Sequence, residues 1–208
     1  MFNSGFIESG YDPNDIILDT QYENTENLPL EYDYSVYQKL TPKDQGQTSQ
    51  CVPYSLAVVL ESRKLLNNKT NFKLNIQDIY NARKDQLDGM TIREALEYMK
   101  TIGFEDITTN TREQILLFGK LTSIQAIKSS IYMNGPCVIG LPVYDSMRTD
   151  FWKGNTLEGG HAIACVGYDK EGLKLLNSWG KNWGYFGMCT LPYNEINGIL
   201  ECWTLIEK

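Results

Sequence analysis

Ile131-Tyr132-Met133-Asn134-Gly135-Pro136-Cys137-Val138-Ile139-Gly140-Leu141 is where the chain changes character. Before it, Ile124, Ile127 and Ile131 recur at helical spacing, and Gly135-Pro136 is a helix stop. After it come short apolar runs rich in β-branched residues. Cys137–Leu141, His161–Val166, Leu173–Leu176 and Cys202–Ile206 read as strands separated by Gly, Asp and Pro turns. Upstream, the signals from about residue 51 to 134 are helical. Val52–Leu60 is apolar enough to be a buried helix, with Pro53 in its first turn and Thr48 or Ser49 as caps. Asn75 caps a second helix. Thr91-Ile92-Arg93-Glu94 is a capping box for a third, which Gly103 ends. Helices followed by strands define an α+β fold, here with two lobes.

The chain has 208 residues, 42% of them apolar and 22% charged, which suits a globular domain and excludes a wholly disordered one. No apolar run approaches the roughly 20 residues of a membrane helix. The net charge of -7 comes from one end: the first 38 residues hold eight acids and no base, and the other 170 hold 19 bases and 18 acids. That balance argues against a nucleic-acid partner. Residues 1–28 lack a core pattern and are expected to form an acidic arm on a body of residues 29–208, with a helical lobe near 45–134 and a β lobe near 135–208. Such an arm is expected to loosen below about pH 5, as its carboxylates protonate.

The five cysteines lie far apart, without a CxxC pair, so neither a structural metal site nor a cofactor is expected. They read as free thiols, four of them buried. The N-terminus lacks the basic and apolar regions of a secretory signal, so the expected compartment is the cytoplasm or another reducing one. Asn68-Lys69-Thr70 fits a glycosylation pattern that is then coincidental.

The single histidine limits imidazole chemistry to His161 and excludes sites that need two. Cys51 stands where a loop becomes a helix, and unpaired N–H groups there favour a thiolate. Asn177 follows His161 by one hairpin, so an amide oxygen can hold one ring nitrogen and aim the other at Cys51. Each residue alone has a blander reading, as core filler, structural histidine or turn residue. Their order and surroundings raise the odds.

Gln45-Gly46-Gln47-Thr48-Ser49-Gln50-Cys51, Gly160-His161-Ala162, Val166-Gly167-Tyr168-Asp169 and Asn177-Ser178-Trp179-Gly180-Lys181-Asn182-Trp183-Gly184-Tyr185-Phe186-Gly187 together resemble the papain family of cysteine peptidases, over roughly residues 29 to 206. The resemblance implies a helical lobe facing a β-barrel-like lobe across a cleft. It implies that Cys51 is the nucleophile, His161 the acid and base, Asn177 its orienter, and Gln45 an oxyanion donor. Trp179 would cover the His161–Asn177 bond and bind substrate as the wall of the cleft on the leaving-group side. Gly89, Met90, Gly160 and Ala162 would line the substrate cleft. The implied activity is peptide hydrolysis through a thioester. The alternatives are a Cys–His–Asn acyltransferase or ligase, or a binding module on the same fold. The implied partners are peptide substrates of a monomer, with residues 1–28 as a short inhibitory propeptide. Thr48 replaces the family's usual disulfide cysteine, and Gln50 and Val52 depart from its signature in ways that could reshape the cleft.

Overall fold

The computed structural model describes residues 5–22, 27–34, 40–66, 71–84 and 88–207. Asn68-Lys69-Thr70 lies outside the described residues. The central element is helix α2, Cys51–Leu66, after a short α1 at Asp19–Tyr22. Val52, Leu56, Ala57, Val59 and Leu60 are almost wholly buried, so α2 runs through the interior between the lobes. Each buried aliphatic side chain contributes roughly 1.5–3 kcal/mol relative to exposure. The helix begins at Cys51 itself. The Thr48 hydroxyl donates to the Gln45 carbonyl in the loop before it.

Helices α3 (Ile76–Asn81) and α4 (Ile92–Thr101) are capped as their sequences dictate. The Asn75 side chain takes the Asp78 N–H, and Thr91 and Glu94 form a reciprocal box. Helix α5, Ile124–Asn134, ends at Gly135, whose φ of 96° a side chain would strain.

The sheet strands are β1 (Tyr32–Asp33), β4 (Ile115–Lys120), β5 (Cys137–Val143), β6 (Gly159–Tyr168), β7 (Gly172–Leu176), β8 (Met188–Pro192) and β9 (Glu201–Glu207). They form one antiparallel sheet in the order β4-β9-β5-β6-β7-β8, with β1 also on β6. Strands β5 and β6 are buried along nearly their whole length, which is why they read as continuous apolar runs.

Residues 104–120 correct the helical reading of the first half. Phe104–Asp106 (β2) and Thr111–Glu113 (β3) form a hairpin, and β4 pairs with β9 at the far end of the chain. The Asp106 carboxylate takes the Thr108 and Lys73 N–H groups and two threonine hydroxyls, which fixes the turn. Strand β4 lacks clean alternation because its register shifts between Ile115 and Leu117 and part of its surface lies under the N-terminal arm, and its partner strand is 83 or more residues away.

Candidate active site

Cys51 is the first residue of α2, and both it and His161 are fully buried. His161 lies on β6, and Asn177 follows β7, its hairpin partner. The Asn177 Oδ1 is 2.7 Å from His161 Nε2 and also accepts the Ser178 N–H at 2.7 Å. An oxygen with two such contacts is an acceptor, so Nε2 carries the ring proton. That leaves Nδ1, which has no hydrogen-bond partner, with a lone pair. The neighbouring Ala162 N–H points at Cys51 Sγ at 3.4 Å.

The indole of Trp179 stacks on the imidazole with centroids 4.3 Å apart. Phe151 and Trp183 pack edge-on against that indole. This aromatic shell excludes water from the His161–Asn177 bond. Ser55 ties the halves together, its hydroxyl lying within 2.8 Å of the Cys51 carbonyl and 2.9 Å of the Ala162 carbonyl. Gln45 is buried beside Ser178: its Oε1 accepts the Ser178 hydroxyl, and its Nε2 donates to the Thr48 carbonyl. Ser178 and Ser55 were not singled out from sequence. Ser178 sits inside the Asn-Ser-Trp-Gly block, and Ser55 falls one turn after the cysteine.

The arm occupies this site. Gly5 lies so close to the loop before Cys51 that an added Cβ would stand 2.0 Å from the Ser49 carbonyl oxygen. Its backbone is near enough to the Cys51 thiol to lower that group's pKa. Met90 N–H donates to the Gly5 carbonyl, Ile7 N–H to the Met90 carbonyl, and Phe6 N–H to the Gly160 carbonyl, all between 2.9 and 3.1 Å. Gly89 also meets this segment: a Cβ there would lie 2.7 Å from the Gly5 carbonyl. The Phe6 ring fills the space left by two glycines, since a Cβ on Gly140 would lie 2.3 Å from it and one on Gly160 2.8 Å. Gly89, Met90 and Gly160 therefore all face the arm. Ala162 is buried behind them, and its N–H serves the thiol. The Gln50 amide donates to the Gln77 side chain in an exposed hydrogen bond.

Burial sets the ionisation. It pushes the Cys51 thiol up to about 11, against the backbone of Ala162 and Gly5, which lowers it. It pushes His161 down to about 4, which the bond to Asn177 only partly offsets. Both groups are neutral at pH 7, and the covered site holds a thiol beside an imidazole. The arm's own anchor differs from the expectation of loosening near pH 5. Burial raises the Asp15 carboxyl, but hydrogen bonds and charge from Arg93 and Lys120 outweigh it and hold it below its ordinary value.

Among the described residues no cluster of His, Cys, Asp or Glu could hold a metal ion, and no helix is long and apolar enough to cross a membrane. The five cysteines are unpaired. A thiol at a helix start, an imidazole on a facing strand and an amide behind it define a Cys–His–Asn site on a two-lobed α+β fold.

That class has a family. The sequence profile of papain family cysteine proteases matches residues 28–202, and the chain belongs to this family. It is 32% identical over 89 residues to cathepsin B-like cysteine proteinase 1 of Haemonchus contortus, a match covering 38% of this chain and 25% of that protein. The chain spans about a quarter of the length of the curated relatives it matches. Its fold resembles that of xylellain, a cysteine protease from Xylella fastidiosa, with a TM-score of 0.81, 22% identity, and coverage of 99% of this chain and 96% of that one. It also resembles procathepsin B S9 from Trypanosoma congolense, with a TM-score of 0.74, 16% identity, and coverage of 90% and 80%.

Proposed function

We propose that the chain is a thiol peptidase that cleaves peptide bonds through a thioester, and that residues 1–28 inhibit it in its own cleft. The observation that carries the chemistry is the 2.7 Å contact between His161 Nε2 and Asn177 Oδ1. It commits one ring nitrogen to the amide and leaves Nδ1 as a base on the thiol side.

In this reading His161 Nδ1 takes the Cys51 proton, and Sγ attacks the carbonyl carbon of the scissile bond. The resulting oxyanion is met by the Cys51 backbone N–H and the Gln45 amide. His161 returns the proton to the departing amine, leaving an acyl thioester. Water, deprotonated by the same nitrogen, then releases the acid and regenerates the thiol. Departure of the arm readmits water, lowers the desolvation that holds both groups neutral, and lets the thiolate–imidazolium pair form.

The arm supports self-inhibition in three ways. It packs Gly5 against the loop before Cys51, pairs with Met90 and Gly160 along the cleft, and seats Phe6 over Gly140. The pro-form relative fits this reading. The test is hydrolysis of a fluorogenic dipeptide amide in reducing buffer by the full chain, by a chain lacking residues 1–28, and by Cys51→Ala. Removal of the arm should raise turnover, an epoxide directed at the thiol should abolish it, and Cys51→Ala should have none. A folded chain without the arm that neither turns over substrate nor reacts at Cys51 overturns the proposal. Turnover that requires an added amine would favour acyl transfer.

A further inference from the structure

Beyond the cleft, the arm turns back on itself and presents Asp15 to two cations. Arg93 grips the carboxylate with two prongs, Nε to Oδ1 at 2.7 Å and its terminal nitrogen to Oδ2 at 2.5 Å. Lys120 Nζ adds a third contact at 2.9 Å. The Asp15 side chain is only 8% exposed, with Arg93 at 14% and Lys120 at 20%, so these pairs are sheltered from solvent. Arg93 also donates to the carbonyls of Ser9 and Gly10. Both cations stand against the Trp203 ring, at 5.6 and 5.0 Å from its centroid. Strand β4 delivers Lys120, helix α4 delivers Arg93 and strand β9 delivers Glu201, whose carboxylate acts on both cations and takes the Ser9 N–H and hydroxyl, while Asp15 of the arm sits directly between the two cations.

We propose that Arg93 and Lys120 form an anion socket in which Asp15 is the resident ligand, and that a small tetrahedral oxyanion such as sulfate displaces it and frees the arm from the cleft. The proposal rests on the reading that the arm blocks Cys51. A forked guanidinium beside a point-charge ammonium suits an oxyanion with several oxygens. Only part of the arm should move. Residues 16–18 run beside β4, with Lys120 N–H on the Ile16 carbonyl and Leu18 N–H on the Lys120 carbonyl. Asp19 is held separately by the Thr122 N–H and hydroxyl. Opening the socket therefore frees residues 10–15 and loosens residues 5–9, which Ser9 still ties to the Glu201 carboxylate, and leaves the following segment docked.

The experiment compares the full chain in sodium sulfate and in sodium chloride at equal ionic strength. It reads hydrogen exchange of the Phe6, Ile7 and Leu18 amides together with dipeptide-amide hydrolysis. Sulfate should speed exchange at Phe6 and Ile7 by about tenfold, as expected for losing one sheltered charge-assisted contact, and leave Leu18 protected. General salt effects run the other way, because sulfate favours compact states. Asp15→Asn should exchange rapidly at Phe6 and Ile7 in either salt, without a further sulfate response, and Arg93→Gln should do the same. Equal effects of the two salts, or an Asp15→Asn chain as protected as its parent, would overturn the socket. Amides that open in sulfate without any gain in hydrolysis would leave the socket standing and overturn the peptidase reading instead.

Discussion

The amide oxygen of Asn177 lies 2.7 Å from Nε2 of His161, beneath the indole of Trp179. This one contact fixes the ring's tautomer and rotation, and both are needed for Nδ1 to act on Cys51. Asn177→Ala should leave the fold intact and lower kcat by roughly 10²-fold, the lower range for a misplaced acid–base group. KM should change little. Steady-state kinetics with a matched thermal melt check both, and an unchanged kcat would show that Trp179 packing alone positions the ring.

Gln45 is held from both ends of its amide, by Ser178 and by Thr48. Its nitrogen is therefore placed before any substrate arrives. Gln45→Ala should cost about 10²–10³ in kcat, as loss of a preset oxyanion donor does. Ser178→Ala should give a smaller loss in the same parameter, since it removes the support and keeps the donor. Comparison of the two variants tests whether Gln45 acts directly.

Gly5 approaches the Ser49 carbonyl too closely to carry a side chain. Gly5→Val in the full chain should expel the arm from the thiol. Dipeptide-amide turnover and alkylation of Cys51 should each rise by about tenfold or more, the factor for a clash of at least 1.4 kcal/mol. Alkylation at the parent's rate would mean that the arm shifts sideways and still covers the thiol.

The buried pair gives a pH dependence with a definite sign. His161 titrates near 4 in the covered site and near 6.5 in an unfolded chain, so the unfolded state binds more protons between those values. The stability of the covered form should fall as pH drops from 6.5 to 4, by a few kcal/mol at most. Asp15 acts lower. Its carboxyl titrates below the ordinary 3.8, so its contribution holds above that and is lost only as pH falls through the depressed value. Denaturant midpoints from pH 7 to pH 3 should show the histidine step first. A flat profile from 6.5 to 4 would mean that His161 is hydrated in solution.

Arg63 is a buried cation on α2 that donates to the carbonyls of Leu205 and Pro136 and to the Thr204 hydroxyl. Burial lowers its pKa. Arg63→Ala strips the donors from three buried acceptors at the seam between α2 and the sheet. A loss of about 2–5 kcal/mol in unfolding free energy should follow, with the relative kcat of the remaining folded protein unchanged. A loss below 1 kcal/mol would show that water replaces the guanidinium.

Much of the fold was legible where the cause is local. Thr91 and Glu94 cap a helix because the two residues satisfy each other, and Gly135 stops one because its φ is positive. The strands at 137, 161, 172 and 201 were visible as apolar runs because both faces of the sheet are covered there. Strand β4 was not, since its pairing with β9 depends on residues at the far end of the chain. The Cys51, His161 and Asn177 set was legible from order and motif, and Gly89, Met90 and Gly160 were singled out as cleft residues. Nothing in the polar arm announced Phe6 as a plug, because the cavity it fills belongs to Gly140 and Gly160, more than 130 residues away.

The sequence by itself therefore determined the family, the α+β class and the identity of the thiol, imidazole and amide. Those follow from residue type, spacing and local hydrogen bonding. Tertiary structure alone decided that the arm threads the cleft, that Asp15 sits between Arg93 and Lys120, and that the thiol and imidazole are neutral beneath it. These depend on close approach and desolvation, which arise only when distant segments meet, and no local pattern carries either.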